Sequence, residues 1–100
     1  MYYVYLLEDQ QTRQWYIGFT GHLLQRLRQH QQGEVTTTRT KKSLHLIYVE
    51  GYLDKRDALG REKFLKSGSG HRFLKKQLYH HLGPSHPLTP SPYSNRNVCA

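Results

Sequence analysis

Residues 2–27 read YYVYLLEDQQTRQWYIGFTGHLLQRL, and the interpretation of this stretch decides the fold. Tyr2-Tyr3-Val4-Tyr5-Leu6-Leu7 is aromatic and β-branched without helical spacing, which predicts a buried strand. Glu8 to Gln14 is polar and leads into a second apolar run, Trp15-Tyr16-Ile17-Gly18-Phe19. Two strands joined in this way make an antiparallel hairpin with a longer loop. Thr20 then reads as a helix N-cap, and Leu23, Leu24 and Leu27 supply the apolar face of a helix ending near Gly33.

Downstream of that unit, Glu34 to Lys42 is polar, threonine-rich and basic, hence a loop. Leu44 to Tyr52 reads as a third strand. Its middle, Leu46-Ile47-Tyr48-Val49, is apolar on both faces, which predicts a central position in the sheet. Asp54 can cap a second helix, with Asp57 three residues on as a weaker capping box. That helix is expected to run to about Lys66, where Ser67-Gly68-Ser69-Gly70 breaks it. Phe73, Leu74, Leu78 and Leu82 give a third helix its buried stripe. The order β-β-α-β-α-α predicts an α/β fold, a small three-stranded antiparallel sheet flanked by three helices. All four prolines (Pro84, Pro87, Pro90, Pro92) follow Gly83, so residues 1–82 are expected to form the domain and 83–100 a flexible Pro-rich tail.

The chain has 100 residues, with 15 Lys and Arg against seven Asp and Glu, a net charge of +8. That surplus favours a polyanionic partner, nucleic acid first and an anionic membrane surface second. No apolar run approaches ~18 residues, so no transmembrane helix is expected. Met1-Tyr2-Tyr3-Val4-Tyr5 lacks the basic start of a signal peptide. The single Cys99 excludes an internal disulfide framework and a cysteine metal cluster, which fits a reducing, intracellular setting.

Several residues could carry chemistry. On the second helix Leu65, Ala58 and Leu59 form an apolar arc, and Glu62 falls near its middle. A carboxylate aimed at a core needs a partner. A structural salt bridge to an arginine and a metal ligand at the floor of a cleft are both open. No acidic residue follows Glu62. An ion of the magnesium type would therefore keep several waters and use substrate phosphate. His22, Arg26 and His30 are spaced as one stripe on the first helix. This is either a solvated polar face or a set of cations and proton donors addressing a phosphate, whose oxygens suit the planar fork of Arg. Arg39, Lys41, Lys42, Lys66, Arg72 and Lys75 belong to a basic stretch interleaved with Tyr48, Tyr52 and Phe73, a plausible nucleic-acid footprint. The seven histidines show no zinc-ligand spacing, and no Gly-x-Ser-x-Gly elbow or Walker loop is present.

Taken together these positions resemble the GIY-YIG nuclease family. The first half-motif appears as Tyr3-Val4-Tyr5, with Tyr3 in place of the leading glycine. The second appears intact as Tyr16-Ile17-Gly18, and Arg26, His30 and Glu62 follow at the family's intervals. Ala58-x-x-x-Glu62-x-x-Leu65-Lys66-Ser67-Gly68 looks like the small single-domain bacterial branch, related to the excision-repair nuclease domain. Many members add an asparagine after the glutamate; here Asn95 and Asn97 lie far down the chain, and Lys75 is the candidate replacement. The resemblance implies a metal-dependent DNA endonuclease, with one Mg²⁺ or Mn²⁺ held by Glu62. On that resemblance Tyr16 would act as, or relay to, the general base, with Tyr5 hydrogen-bonded nearby. Arg26 would stabilise the phosphorane-like charge, and His30 would orient the phosphate or protonate the leaving oxygen. Arg28, Arg39, Lys41, Lys42, Lys66, Arg72 and Lys75 are the candidate DNA contacts. DNA is the implied partner, with no membrane and no obligate protein partner, in a bacterial cytoplasm at the nucleoid. Two other readings stand beside it: a nucleic-acid-binding module of weak catalytic power, and a domain whose basic face meets an acidic protein.

Overall fold

Residues Val4 to Asp9 of the first strand are all buried, and this strand, β1 (Tyr2–Asp9), is the middle of the sheet. The computed structural model describes residues 1–35, 38 and 43–83. β1 pairs antiparallel with β2 (Trp15–Thr20) on one side and with β3 (Leu44–Tyr52) on the other, giving the order β2-β1-β3. The hairpin and the three-stranded antiparallel sheet are as the sequence predicts. The central place expected for Leu44–Tyr52 is not: β3 is an edge strand, and Leu46 and Val49 are 39% and 41% exposed.

The reason is a bulge. Leu6 pairs with Tyr48 but Leu7 with Leu46, so Ile47 is an extra residue on β3. One extra residue turns the remainder of the strand over. Leu44 and Leu46 therefore share a face with Leu7, whereas Tyr48, Glu50 and Tyr52 face the other way, opposite Leu6, Val4 and Tyr2. Apolar side chains on both faces in mid-strand here mark this inversion, and a central strand was the wrong inference from them.

Polarity ends the first strand later than its composition suggests. Glu8 is fully buried opposite Trp15, whose indole Nε1 donates to it at 2.9 Å, and Arg13 lies 3.6 Å away. Asp9 closes the loop by accepting from the backbone N–H groups of Gln11 and Thr12, and Arg13 takes the left-handed conformation, φ 63°.

After β2 the chain enters α1 (Leu23–Gln31). Thr20 does not cap it. Its hydroxyl accepts from the N–H of His22, two residues on, fixing the turn while His22 takes the cap position without a side-chain bond. Leu23 and Leu27 pack against a buried cluster of Tyr5, Leu7 and Leu44. His30 continues that stripe and is itself buried, whereas Leu24 points away and is 72% exposed. The apolar face therefore comprises Leu23, Leu27 and His30, without Leu24.

α2 (Lys55–Leu65) starts where Asp54 accepts from the Arg56 N–H, as predicted. Two compact units then divide the chain, Met1–Lys63 and Phe64–Ala100. Within the second, α3 (Gly68–Gln77) is followed by the single turn α4 (Tyr79–Leu82), so the helices number four among the described residues. Ser67 caps α3 by accepting from the Gly70 N–H, and the helix break is confined to residues 66–67. The glycines expected to break the helix lie inside its first turn. A Cβ on Gly70 would fall 2.0 Å from the Phe64 carbonyl oxygen, so only glycine allows that approach. The expected tail falls on residues 84–100, outside the described residues.

Candidate active site

Tyr5 sits directly across from Gly18, and its ring occupies the space where a larger residue would project. A Cβ on Gly18 would lie 2.2 Å from the Tyr5 hydroxyl oxygen. The glycine of the second half-motif is thus the seat for the tyrosine of the first. Alternation places Tyr16, opposite Leu7, on the same face, and its ring packs against the cluster of Tyr5, Leu7 and Leu44.

α1 supplies the groups above this face. The Tyr5 hydroxyl lies 2.8 Å from His30 Nε2, and His30 Nδ1 lies 2.7 Å from the Thr38 hydroxyl. Arg26 Nε donates to the Tyr5 hydroxyl at 3.4 Å, while its Nη1 donates to Gln29 Oε1 at 3.3 Å. Burial, and after it the positive Arg26, hold His30 below its ordinary 6.5, so the imidazole is neutral at neutral pH. A neutral ring accepts at one nitrogen and donates at the other. Tyr5 donating to Nε2 and Nδ1 donating to Thr38 satisfies all three groups. No carboxylate among the described residues pairs with Arg26, which also walls an open cleft with Thr20, His22 and Gln25.

Glu62 comes from a different element. It is half-buried on α2, about one turn from each of the buried Ala58 and Leu65. Its donor chemistry fits a hard divalent ion that takes oxygen ligands and completes its shell with water and phosphate. No three His, Cys, Asp or Glu residues gather as a ligand cluster among the described residues, so a dedicated all-protein metal cage is not what these groups form.

The basic candidates are scattered. Arg28 is exposed on α1. Arg39, Lys41 and Lys42 lie outside the described residues. Lys66, Arg72 and Lys75 belong to the second unit, where Arg72 donates to Ser69 at 3.0 Å and Lys75 is half-buried in the last turn of α3.

A second polar group occupies the other sheet face. Glu50 accepts from Arg61 Nε and Nη2 at 2.8 and 2.9 Å, from Tyr52 at 2.6 Å, and from Tyr48. Burial works against the Glu50 charge, but the bonds from Arg61, Tyr48 and Tyr52 outweigh it and hold the carboxyl down at about 2. Burial and then the bond to Glu50 push Tyr52 up to about 12. This pair joins β3 to α2 one residue before Glu62.

Sequence reasoning missed Thr38 and Gln29 as partners of His30 and Arg26. Thr38 stands in a run of threonines that nothing in the pattern tells apart. Gln29, three residues beyond Arg26, was legible as a helix neighbour.

A profile of the GIY-YIG catalytic domain matches residues 1–77. The chain belongs to the GIY-YIG family. Curated relatives include the UPF0213 protein YazA of Bacillus subtilis, 32% identical over 66 residues, which are 65% of this chain and 64% of that protein. A UPF0213 protein of Streptococcus pneumoniae is 35% identical over 65 residues, 64% of this chain and 65% of that one. Another, from Lactiplantibacillus plantarum, is 39% identical over 77 residues, 74% of this chain and 73% of that one. The match thus spans just under two thirds of the first two relatives. The solution NMR structure of UPF0213 protein BH0048 from Bacillus halodurans has 30% identity and a TM-score of 0.48, covering 89% of this chain and 94% of that one. No helix among the described residues is long and apolar enough to cross a membrane.

Proposed function

We propose that this GIY-YIG protein is a metal-dependent endonuclease that hydrolyses phosphodiester bonds in DNA in the cytoplasm. The observation that carries the reading is the bonded group of Tyr5, Arg26 and His30, in which an arginine whose partners among the described residues are all neutral faces an open cleft. A cation that no carboxylate among the described residues neutralises is available to phosphate oxygens, and its planar fork can grip two of them.

In this reading Arg26 binds the scissile phosphate and stabilises the charge that builds on it during attack. Its orientation is preset by Gln29 on one side and Tyr5 on the other. Tyr16 takes the proton of the attacking water or relays it, and Tyr5 holds the phosphate side of the site in register. His30 works through Tyr5: both ring nitrogens are engaged, so it positions that hydroxyl and its proton, and direct protonation of the leaving oxygen is not required of it. Glu62 holds the divalent ion, Mg²⁺ or Mn²⁺, which when bound supplies Lewis-acid charge neutralisation and templating of the phosphate. Arg28, Arg39, Lys41, Lys42, Lys66, Arg72 and Lys75 supply attraction to the backbone of the nucleic acid.

The test is to incubate labelled single-stranded, duplex and branched DNA with Mg²⁺, Mn²⁺ or EDTA. Cleavage of at least one substrate in metal and none in EDTA is expected. No cleavage of any of them overturns the proposal; salt-sensitive binding without cleavage would make the chain a nucleic-acid-binding module instead.

A further inference from the structure

A second cleft adjoins the one walled by Arg26. The inner part of this surface is lined by Thr20, Gln25, Arg26 and Gln29, and the outer part by Tyr3, Leu23 and Leu24; His22 and Gln25 line both. The two clefts therefore border each other at His22 and Gln25, with Arg26 in the inner one and the aromatic Tyr3 in the outer one. Resting on the endonuclease reading, we propose that the outer cleft is a subsite for one unpaired nucleobase next to the scissile phosphate.

The chemistry of the lining selects that occupant. The outer part has no lysine or arginine, so it is not built for a second phosphate. Leu24 presents an apolar surface there and is 72% exposed, although Leu23 and Leu27 already complete the core face of the helix. Tyr3 adds an aromatic ring, while the exposed Gln25 amide offers both a donor and an acceptor. Flat apolar surface beside an adaptable amide suits a nucleobase, which has apolar faces and a polar edge. In a duplex the faces are stacked and the edge is paired, so only an unpaired base can enter. The subsite would favour DNA with an unpaired nucleotide beside the cut, whether in a single strand, a flap or a junction.

The experiment uses the full chain and a fluorescein-labelled single-stranded DNA oligonucleotide, with anisotropy measured in EDTA. A series of oligonucleotides carries one abasic position each. Leu24→Ser/Gln25→Ala alters two exposed positions, and an unchanged circular dichroism melt verifies its fold. The wild type should bind one member of the series about tenfold more weakly than the intact strand. The double variant should bind the intact strand about tenfold more weakly and no longer register that abasic position. Intact binding by the double variant equal to wild type, retained discrimination at that position, or a wild type indifferent to every abasic position overturns the subsite. Cleavage by the wild type in Mg²⁺ is scored separately. Metal-dependent cleavage without base discrimination overturns the subsite alone, and base discrimination without cleavage overturns the endonuclease reading alone.

Discussion

Arg26 and Arg61 each meet a tyrosine on the same small sheet, and they are used in opposite ways. Arg61 gives two short bonds to the Glu50 carboxylate, which Tyr48 and Tyr52 also serve, so its charge is neutralised within the fold. Among the described residues Arg26 reaches the Tyr5 hydroxyl and the Gln29 amide, at 3.4 and 3.3 Å, and no carboxylate, and it borders an open cleft. One cluster fastens β3 to α2; the other, in the proposed reading, holds its positive charge ready for a phosphate. On that reading the presence or absence of a carboxylate partner separates a structural arginine from a functional one, although both lie beside tyrosines.

The strongest way to break this contrast is to remove each arginine. Arg26→Ala should lower the single-turnover cleavage rate by on the order of 10²–10³ while leaving the thermal melt close to wild type. Arg61→Ala should do the reverse, with a lower melting temperature and a far smaller loss of rate in the molecules that remain folded. Equal effects on rate would dissolve the distinction.

Gly18→Ala tests how the functional cluster is seated. The added methyl would overlap the Tyr5 hydroxyl, which must leave His30 and Arg26 or displace a strand. A loss of about 3 kcal/mol in urea unfolding is expected, together with loss of activity. Retained stability with an undisturbed Tyr5 would show that the ring has another resting place.

The structural cluster has a pH signature. Glu50 is held at about 2 when folded, below its ordinary 4.5. Its contribution is therefore complete above about 4.5 and lost as the pH falls toward 2. The wild type should lose about 2 kcal/mol more than Glu50→Gln across that window, by urea unfolding at successive pH values. Parallel pH profiles for the two proteins would contradict the assignment.

The smallest effect concerns His30, whose ring is held below 6.5 first by burial and then by Arg26. In Arg26→Gln the His30 titration followed by NMR should move upward yet stay below its ordinary 6.5, since burial remains. No movement would mean that the arginine's charge does not reach the ring.

The sequence made legible the residues whose function depends on order along the chain. Tyr5, Tyr16, Arg26 and His30 are local to one hairpin and the helix after it, so their spacing alone brings them to one face. The β3 register was not legible in the same way. A single inserted residue, Ile47, leaves the composition of the strand unchanged while turning Tyr48, Glu50 and Tyr52 to the opposite side. Apolar residues on both faces then imitate a central strand. Helix ends were misread for a related reason. Thr20 and Ser67 are both hydroxyl residues before a helix, yet one accepts from the N–H two residues on and the other from that three residues on. Local type does not decide between those bonds. Glu62 differs from the other site residues, because it comes from α2 and not from the hairpin and the helix after it, and its proposed role depends on an ion.

That dependence makes Glu62 the most direct test of the account. Single-turnover cleavage of end-labelled DNA should be measured against Mg²⁺ concentration for the wild type and for Glu62→Ala, with both shown to be folded by their thermal melts. The account predicts metal-dependent cleavage by the wild type and almost none by the variant. Cleavage by Glu62→Ala at the wild-type rate and with the same metal dependence would contradict it.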